Sequence, residues 1–306
     1  MRQKCLETVY NLAKKNKKVV FIGSDLGAGV LSEFKRKIPD RFFMEGVAEQ
    51  AIIGLAAGLA LEGYIPYVNT IATFITRRCF EQVAIDLCLH NLPVKLIGNG
   101  GGLVYAPLGP THLAIEDIAL MKSLPNMTII SPCDANEMKI LMNQTINHKK
   151  PMYIRLGRGG EKIISDSIQN IKLGKASVFN NGQDVLIIST GTMTQKALIV
   201  AKNLLQFKIK TTNIHIHTIK PIDKETILKH SKKKKLIVTV EEHISAGGLG
   251  SSVLEILSDN FKHFPSLIRI GLETKFPKNY GTQDSLQDAL GLSNRNIEKK
   301  ILNYLK

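Results

Sequence analysis

The sequence predicts an α/β protein made of two consecutive three-layer domains, each built around a mostly parallel sheet. Three observations lead to this fold class. The chain has 306 residues, enough for two domains that each bury a core. Short continuous apolar runs alternate with helical patterns, as in parallel sheets covered by helices on both faces. The alternation is interrupted once, by a polar stretch at residues 160–176, where we expect the linker.

The first series of elements predicts a domain at residues 1–165. It starts with a helix at residues 5–16 and a short buried strand at residues 19–23. Later strands are expected at residues 67–69, 94–98, 127–130 and 152–156, with helices between them. Ligands of open α/β sheets bind at the carboxyl ends of the strands, so polar residues just after these runs are candidate site residues.

The second series predicts a domain at residues 177–306. Strands are expected at residues 184–189, 212–217 and 236–241, and a helix at residues 194–205. The glycine cluster at residues 247–250 then opens another helix, and a tight turn explains it better than a phosphate-binding loop does.

Composition excludes several function classes. The net charge of +15 suggests nucleic-acid binding, but the lysines are scattered, aromatic residues are only 6% of the chain and tryptophan is absent. We therefore expect no nucleic-acid partner, although the positive field would attract phosphorylated substrates. We expect no membrane span and no signal peptide, because the apolar runs are too short. The four cysteines lack zinc-site spacing, which favours reduced thiols, a cytoplasmic protein and no metal ligand in this chain.

The most informative segment is the apolar helix that Glu49 opens. Residues 51–61 are apolar on every side, so we expect this helix to be buried all round. A carboxyl at its mouth would be partly desolvated, and such a group can do acid/base work. From the residues alone, Glu49 could equally be an acid that offsets the helix dipole.

Three more side chains are candidates for contact with a ligand. His112 stands in a Gly-Pro turn that leads into a helix expected near Ala114, and such a turn can present the ring to a ligand. A loop histidine that only bonds a neighbouring carbonyl is an equal alternative. Arg155 and Arg158 end a strand in a glycine-rich segment, where two guanidinium groups would suit a phosphate or carboxylate, although isolated surface arginines are common.

In chain order, these residues resemble the transketolase family of thiamin-diphosphate enzymes, and in particular its C-terminal half, a separate subunit in split transketolases. The matching motifs span nearly the whole chain, at residues 39–43, 46–50, 54–60, 72–74, 80–82, 109–112, 124–127, 154–158, 219–223, 241–243 and 248–251. The resemblance implies a pyrimidine-binding domain followed by a transketolase C-terminal domain. It also implies transfer of a two-carbon ketol unit from a ketose donor to an aldose acceptor.

The resemblance assigns roles to individual residues. Glu49 would hydrogen-bond a ring nitrogen of the cofactor's aminopyrimidine and so activate the thiazolium carbon. Phe74 would stack on the pyrimidine, and Asp25 would lie near the thiazolium. The substrate would be held by His112, at a sugar hydroxyl or carbonyl oxygen, and by Arg158, with Arg155, at a phosphate.

One family motif is absent from this sequence. The family holds the diphosphate through a metal bound by a Gly-Asp-Gly…Asn motif, which the chain lacks. The expected partner is therefore an N-terminal subunit that binds the diphosphate together with Mg²⁺ or Ca²⁺. The implied assembly is α₂β₂, with the cofactor between chains.

Three departures from the family pattern bear on the substrate. Leu108 stands where the family commonly has Asp, Leu113 where it has Gln, and Gly100 near the position of a phosphate-contacting His. Lost polar groups change which substrate hydroxyls can be buried, so an ordinary pentose phosphate need not be the substrate.

Three alternatives stay open. The chain could be a 2-oxoacid dehydrogenase E1β-like subunit, although the Gly-Pro-Thr-His turn and the Leu-Gly-Arg-Gly segment favour a transketolase. It could resemble deoxyxylulose-phosphate synthase, which is normally one longer chain. It could also be a non-catalytic partner subunit, although a scaffold has no need of Glu49, Phe74 and His112 together.

Overall fold

The computed structural model describes residues 1–23, 28–44 and 46–306. In this part of the chain, the strands form a seven-stranded sheet and a five-stranded sheet, both mostly parallel, which confirms the predicted α/β class. Asp25 lies outside the described residues. No helix of the described residues is both long and apolar enough to cross a bilayer.

The first domain contains six strands and six α-helices among the described residues. The strands are β1 (Val19–Gly23), β2 (Phe42–Met44), β3 (Ile65–Ile71), β4 (Lys95–Asn99), β5 (Thr128–Ile130) and β6 (Met152–Arg155). The helices are α1 (Arg2–Lys15), α2 (Ala28–Lys37), α3 (Glu49–Leu61), α4 (Phe80–Gln82), α5 (Asp117–Ser123) and α6 (Ala135–Thr145). Two π-helical segments, Phe74–Arg78 and Val83–Leu89, flank α4.

The second domain follows a 3₁₀ turn at Ser165–Ser167. Its strands are β7 (Ser177–Asn180), β8 (Val185–Ser189), β9 (Thr211–His215), β10 (Thr218–Lys220), β11 (Leu236–Ile244) and β12 (Ser266–Leu272). Its helices are α7 (Met193–Leu204), α8 (Lys224–Ser231), α9 (Leu249–Asn260), α10 (Gln283–Ala289) and α11 (Asn294–Leu305). The second sheet has the order β12-β11-β8-β9-β7, and only β7 runs antiparallel to its neighbour.

Strand β10 joins the two domains. It follows β9 of the second sheet directly, but it pairs antiparallel with β5 at the edge of the first sheet. The first sheet therefore has the order β10-β5-β6-β4-β3-β1-β2. One apolar core cluster also runs from Ile22 and Val68 of the first domain to Ile188 and Leu249 of the second.

The structure corrects the prediction that α3 is buried on all sides. Ile52, Ile53 and Ala56 pack into the core against Val68. The opposite face is not covered by the residues that the structure describes: Leu55 is 43% exposed and Leu61 is 67% exposed, and Ala51, Gly54 and Gly58 on the same face are also exposed. We call Ala51, Gly54, Leu55, Gly58 and Leu61 the open face of α3. Its apolar composition is that of a surface made for contact with another chain.

A second correction concerns the helix expected near Ala114. Ala114 forms a β-bridge with Gly101 and Gly102, and α5 begins only at Asp117. The backbone between the Gly-Pro turn and α5 is thus tied to the glycine loop after β4.

Candidate active site

Glu49 is buried at the first residue of α3. Its side chain is 3% exposed, and the N-cap residue Ala48 offers the helix no side-chain hydrogen bond. A carboxylate in the first turn is favoured by the helix dipole. One oxygen, Oε2, accepts a hydrogen bond from Nη1 of Arg78 at 2.8 Å.

Phe74 and Arg78 begin and end the π-helical segment that follows β3. Short π-helical segments are frequent at functional sites. Here the wider turn brings the guanidinium of Arg78 over the ring of Phe74, 4.5 Å from its centroid. The same guanidinium bonds Glu49, so it lies between a buried carboxylate and an aromatic face.

The Arg78 guanidinium indicates what this space would accept. It is planar, it stacks on Phe74, and one of its N–H groups donates to Glu49. An aminopyrimidine needs the same two features, an aromatic face to stack on and a carboxylate for a ring N–H. Glu49 and Phe74 thus offer the carboxylate and the aromatic face that the expected aminopyrimidine contact requires, and Arg78 contacts both of them in this structure.

His112 lies next to Phe74. The two rings are 5.2 Å apart between centroids and meet edge to face at 63°. The turn that presents His112 starts at Gly109, whose φ of 74° favours glycine. A Cβ at Gly109 would also lie 2.4 Å from the ring of Tyr280, a residue of the second domain. Both domains thus shape this turn.

The structure explains the missing histidine at Gly100. Gly100 has a φ of 74°, and a Cβ there would lie 2.2 Å from Cε2 of Tyr105. The ring of Tyr105 occupies the adjoining space and lies 6.5 Å from that of His112. Sequence reasoning missed Tyr105, and its only signal was a lone aromatic residue between the glycine loop and the Gly-Pro turn.

The other two departures have different environments. Leu113 is fully buried in the core of the second domain, so this substitution is a packing feature. Leu108 is 50% exposed, immediately before the turn that carries His112. Leu108 is therefore the departure that a ligand near His112 would meet.

The predicted substrate-binding role of Arg155 does not fit the structure. The side chain is buried, and its Nε donates to Oδ2 of Asp117 at 2.7 Å. Its Nη2 donates to the carbonyl oxygens of Ala114 and Glu242. Burial would lower the pKa of Arg155, but the carboxylate of Asp117 outweighs burial and raises it. Arg155 thus links β6 to α5 and to the second domain through a buried ion pair and hydrogen bonds to backbone carbonyls.

Arg155→Met should destabilise the chain strongly. Removing one partner of a buried ion pair leaves the other uncompensated, at a cost of about 3–5 kcal/mol. Urea unfolding of the isolated chain measures the free energy of unfolding. Arg36→Met is the matched control, because the Arg36–Glu33 pair is exposed and should contribute less than about 1 kcal/mol. Equal stability of the two variants would contradict a structural role for the Arg155–Asp117 pair.

Arg158, the other arginine predicted to bind a phosphate, is accessible to solvent, whereas Arg155 is buried. Arg158 is exposed in the loop after β6, where Gly159 and Gly160 have positive φ. It lines a cleft of about 470 Å³ between the domains, together with Lys162, Thr192 and Lys196. Its three cations, Arg158, Lys162 and Lys196, outnumber its two carboxylates, Glu161 and Asp284, which favours an anionic group.

The structure therefore joins some predicted residues and separates others. Glu49, Phe74 and His112 form one group connected through Arg78 and ring contacts. Arg158 lines a separate interdomain cleft, and Arg155 is part of the protein core.

Comparison with known families matches both domains. The model of the transketolase pyrimidine-binding domain matches residues 1–160, and that of the transketolase C-terminal domain matches residues 174–297. The first match contains Glu49, Phe74 and His112, and the second begins at residue 174, near the end of the expected linker.

Individual relatives agree with these matches. A 6-deoxy-6-sulfo-D-fructose transketolase subunit of Clostridium sp. (strain MSTE9) is 34% identical over 97% of this chain and 92% of its own. The 1-deoxy-D-xylulose-5-phosphate synthase of Caldanaerobacter subterraneus is 37% identical over 98% of this chain, which spans only 48% of that longer protein. A solved split-gene transketolase, described as an inactive β4 tetramer, superposes with a TM-score of 0.89 at 34% identity, covering 99% of this chain and 97% of its own.

Proposed function

This chain belongs to the transketolase family of thiamin-diphosphate enzymes, and we propose that it is the pyrimidine-binding subunit of a two-chain transketolase. The enzyme would transfer a two-carbon ketol unit from a ketose donor to an aldose acceptor. The observation that carries the proposal is that the Arg78 guanidinium contacts both the carboxylate of Glu49 and the ring face of Phe74.

Each residue of this group has a task in that reaction. Thiamin diphosphate, when bound, supplies the carbanion chemistry. Glu49, which is itself buried, would share a proton between its carboxylate and a pyrimidine ring nitrogen of the bound cofactor. Phe74 would fix the plane of the ring, and Arg78, which now contacts both residues, would have to move for the cofactor to enter.

His112 is the candidate for contact with the substrate. Its Nδ1 shares a hydrogen bond of 2.9 Å with Oγ1 of Thr111. That contact fixes the ring and leaves Nε2 for a hydroxyl or carbonyl oxygen of the sugar. Because His112 packs against Phe74, it orients the donor beside the cofactor. Asp25, outside the described residues, remains a proposed neighbour of the thiazolium.

We propose a partner that supplies the rest of the site. The sequence lacks a Gly-Asp-Gly…Asn motif, and α3 leaves its open face uncovered. An N-terminal subunit would bring the diphosphate-binding residues and Mg²⁺ or Ca²⁺, giving an α₂β₂ assembly. The relative named a transketolase subunit and the inactive β4 form of the split-gene enzyme support this arrangement.

Reconstitution tests the proposal. The purified chain is mixed with a candidate partner that carries the Gly-Asp-Gly…Asn motif, with thiamin diphosphate and Mg²⁺. Ketol transfer is measured over a panel of ketose phosphates, unphosphorylated ketoses and a 6-deoxy-6-sulfo ketose, with several aldose acceptors. We expect turnover only with both chains present. Robust turnover by this chain alone would refute the partner requirement.

Synthesis of 1-deoxy-D-xylulose 5-phosphate is the second candidate function, favoured by the 37% identity to a synthase of that compound. Its carbons correspond to an acetyl unit plus a triose phosphate, so a 2-oxo acid replaces the ketose as donor. The same reconstituted pair is assayed with pyruvate and glyceraldehyde 3-phosphate. Product formation there, without ketol transfer, would favour this alternative.

If the substrate phosphate extends into the interdomain cleft that Arg158 lines, Arg158→Met should raise KM for phosphorylated sugars by about 10- to 100-fold, with little change in kcat. A hydrogen bond to a charged group contributes about 1.5–3 kcal/mol, and its loss here affects binding rather than the chemical step. Steady-state kinetics of the reconstituted pair measure the change. The unphosphorylated donor is the matched control, because its KM should not change. A similar rise for both donors would mean that Arg158 does not hold the phosphate.

A further inference from the structure

A cluster of metal-binding side chains lies buried at the junction of the two domains. Cys133 and Glu137 come from the segment that begins α6, and His215 comes from the end of β9. The three are at most 1% exposed, and one ligand atom from each lies within 4.8 Å of the others. A thiol, a carboxylate and an imidazole thus converge from two domains.

Two of these ligand atoms, Nε2 of His215 and Oε2 of Glu137, are hydrogen-bonded to each other, so a bound ion would replace that bond. His215 shares a hydrogen bond of 2.8 Å between its Nδ1 and Oγ1 of Thr194, so its Nε2 faces Glu137 at 2.8 Å. The backbone N–H of Cys133 donates to Oε2 of Glu137 at 2.7 Å. Histidines that bind metals are usually held in this way, through a hydrogen bond at the second ring nitrogen.

A second observation is the neighbouring histidine, His217. It is fully buried, and its Nδ1 is bonded to Oγ1 of Thr218. Its Nε2 is buried without a hydrogen-bond partner. A buried nitrogen without a partner is costly and commonly marks a missing water or ion. The ring centroids of His215 and His217 are 5.9 Å apart, and two imidazoles on one tetrahedral zinc place theirs roughly 5 Å apart.

We propose that Cys133, Glu137 and His215 bind one zinc-class divalent ion, and that Nε2 of His217, which lies outside this group in the present arrangement, turns towards the ion as the fourth ligand. Thiolate and imidazole ligands select zinc over magnesium or calcium. Four protein ligands and complete burial describe a closed structural site, not a catalytic one. The ion would link the start of α6 in the first domain to the end of β9 in the second.

Charge balance is compatible with this assignment. The thiolate of Cys133 and the carboxylate of Glu137 would neutralise the two charges of a divalent ion, and the buried carboxylate of Asp134, which accepts from Sγ of Cys133 at 3.7 Å, would add one negative charge beside the site. Binding requires the thiol to release its proton, and metal affinity should therefore rise with pH. Because the site is closed, the metal should enter during folding and exchange slowly.

The test is metal content and cobalt spectroscopy on the full chain. The protein is expressed in zinc-supplemented medium, dialysed, and analysed for bound metal. Separately, it is refolded with one equivalent of Co²⁺ and examined for the thiolate-to-cobalt charge-transfer band. We expect about one zinc per chain and a band that Cys133→Ser abolishes. His217→Gln should weaken zinc binding by at least about 10-fold in competition with a chelating dye.

Cys88→Ser is the matched control, because Cys88 is also buried in the first domain but lies outside the cluster. It should retain both the zinc and the cobalt band. Metal-free protein from both preparations would overturn the proposal, and so would a cobalt band that survives in Cys133→Ser. If Cys133→Ser fails to fold, unchanged zinc affinity of His217→Gln would still reject the four-ligand site.

Discussion

Glu49→Gln should reduce turnover by the reconstituted enzyme by about 10²- to 10⁴-fold, the range in which a positioned acid/base group contributes to catalysis. Glutamine keeps the size of the side chain and can still hydrogen-bond a ring nitrogen. It cannot take up and return a proton, so the cofactor would bind without being activated. The fold should be little affected, because the Glu49–Arg78 pair is half-exposed on the arginine side and contributes about 0–1 kcal/mol.

The measurement combines turnover, cofactor binding and urea unfolding. Glu62→Gln is the matched control, because Glu62 caps the other end of α3 and is exposed to solvent. The control should keep full activity. A Glu49→Gln enzyme that also kept full activity would show that Glu49 only offsets the helix dipole, or that the chain is a non-catalytic partner.

Leu55→Asp should weaken assembly of the enzyme by about 100-fold or more and abolish activity at ordinary protein concentrations. Leu55 is 43% exposed on the open face of α3, so the folded chain itself tolerates the substitution. In an assembly that covers this face, the new carboxylate would be buried without a partner, which costs several kcal/mol. Light scattering after size-exclusion chromatography measures the mass of the complex.

The matched control for this variant is Leu254→Asp. Leu254 is 37% exposed on α9 of the second domain, away from the open face. Equal loss of assembly in both variants would indicate a general effect of the added charge. An intact assembly with Leu55→Asp would exclude the open face of α3 as the contact surface.

The sequence was sufficient to predict the parts of this protein that local pattern determines. Continuous apolar runs identified buried parallel strands such as β1 and β4. The apolar run at residues 51–61 also identified the helix α3, although the prediction that it is buried on every side was wrong. These features depend on residues close together in the chain, where periodicity and composition are informative.

The rest depends on partners that are distant in sequence. Arg155 ends a strand as a phosphate-binding arginine would, but Asp117, 38 positions away, holds it in the core. The open face of α3 has the same apolar composition as a buried face, and in the proposed assembly the side chains that cover it belong to another chain. The sequence did not predict Arg78 as a site residue, because the π-helical turn that places it over Phe74 has no sequence pattern of its own.

The proposed metal ligands escaped sequence reasoning for the same reason. Cys133 and Glu137 are four positions apart, but His215 follows Glu137 by 78 positions and belongs to the other domain. Sequence motifs for metal sites depend on short spacings between ligands, and these ligands are too far apart in the chain to form such a motif.

The pairing of β10 with β5 has a consequence for chimaeras. The two halves of this chain cannot be exchanged independently between relatives, because the second half contains β10, an edge strand of the first sheet. A fragment that ends near residue 165 would leave β5 as a bare edge, which invites pairing with other chains. A hybrid with a relative's second half would fold well only if the imported strand matched the register beside β5. Recombination within this family is therefore expected to succeed when the graft brings residues 218–220 from the same parent as β5.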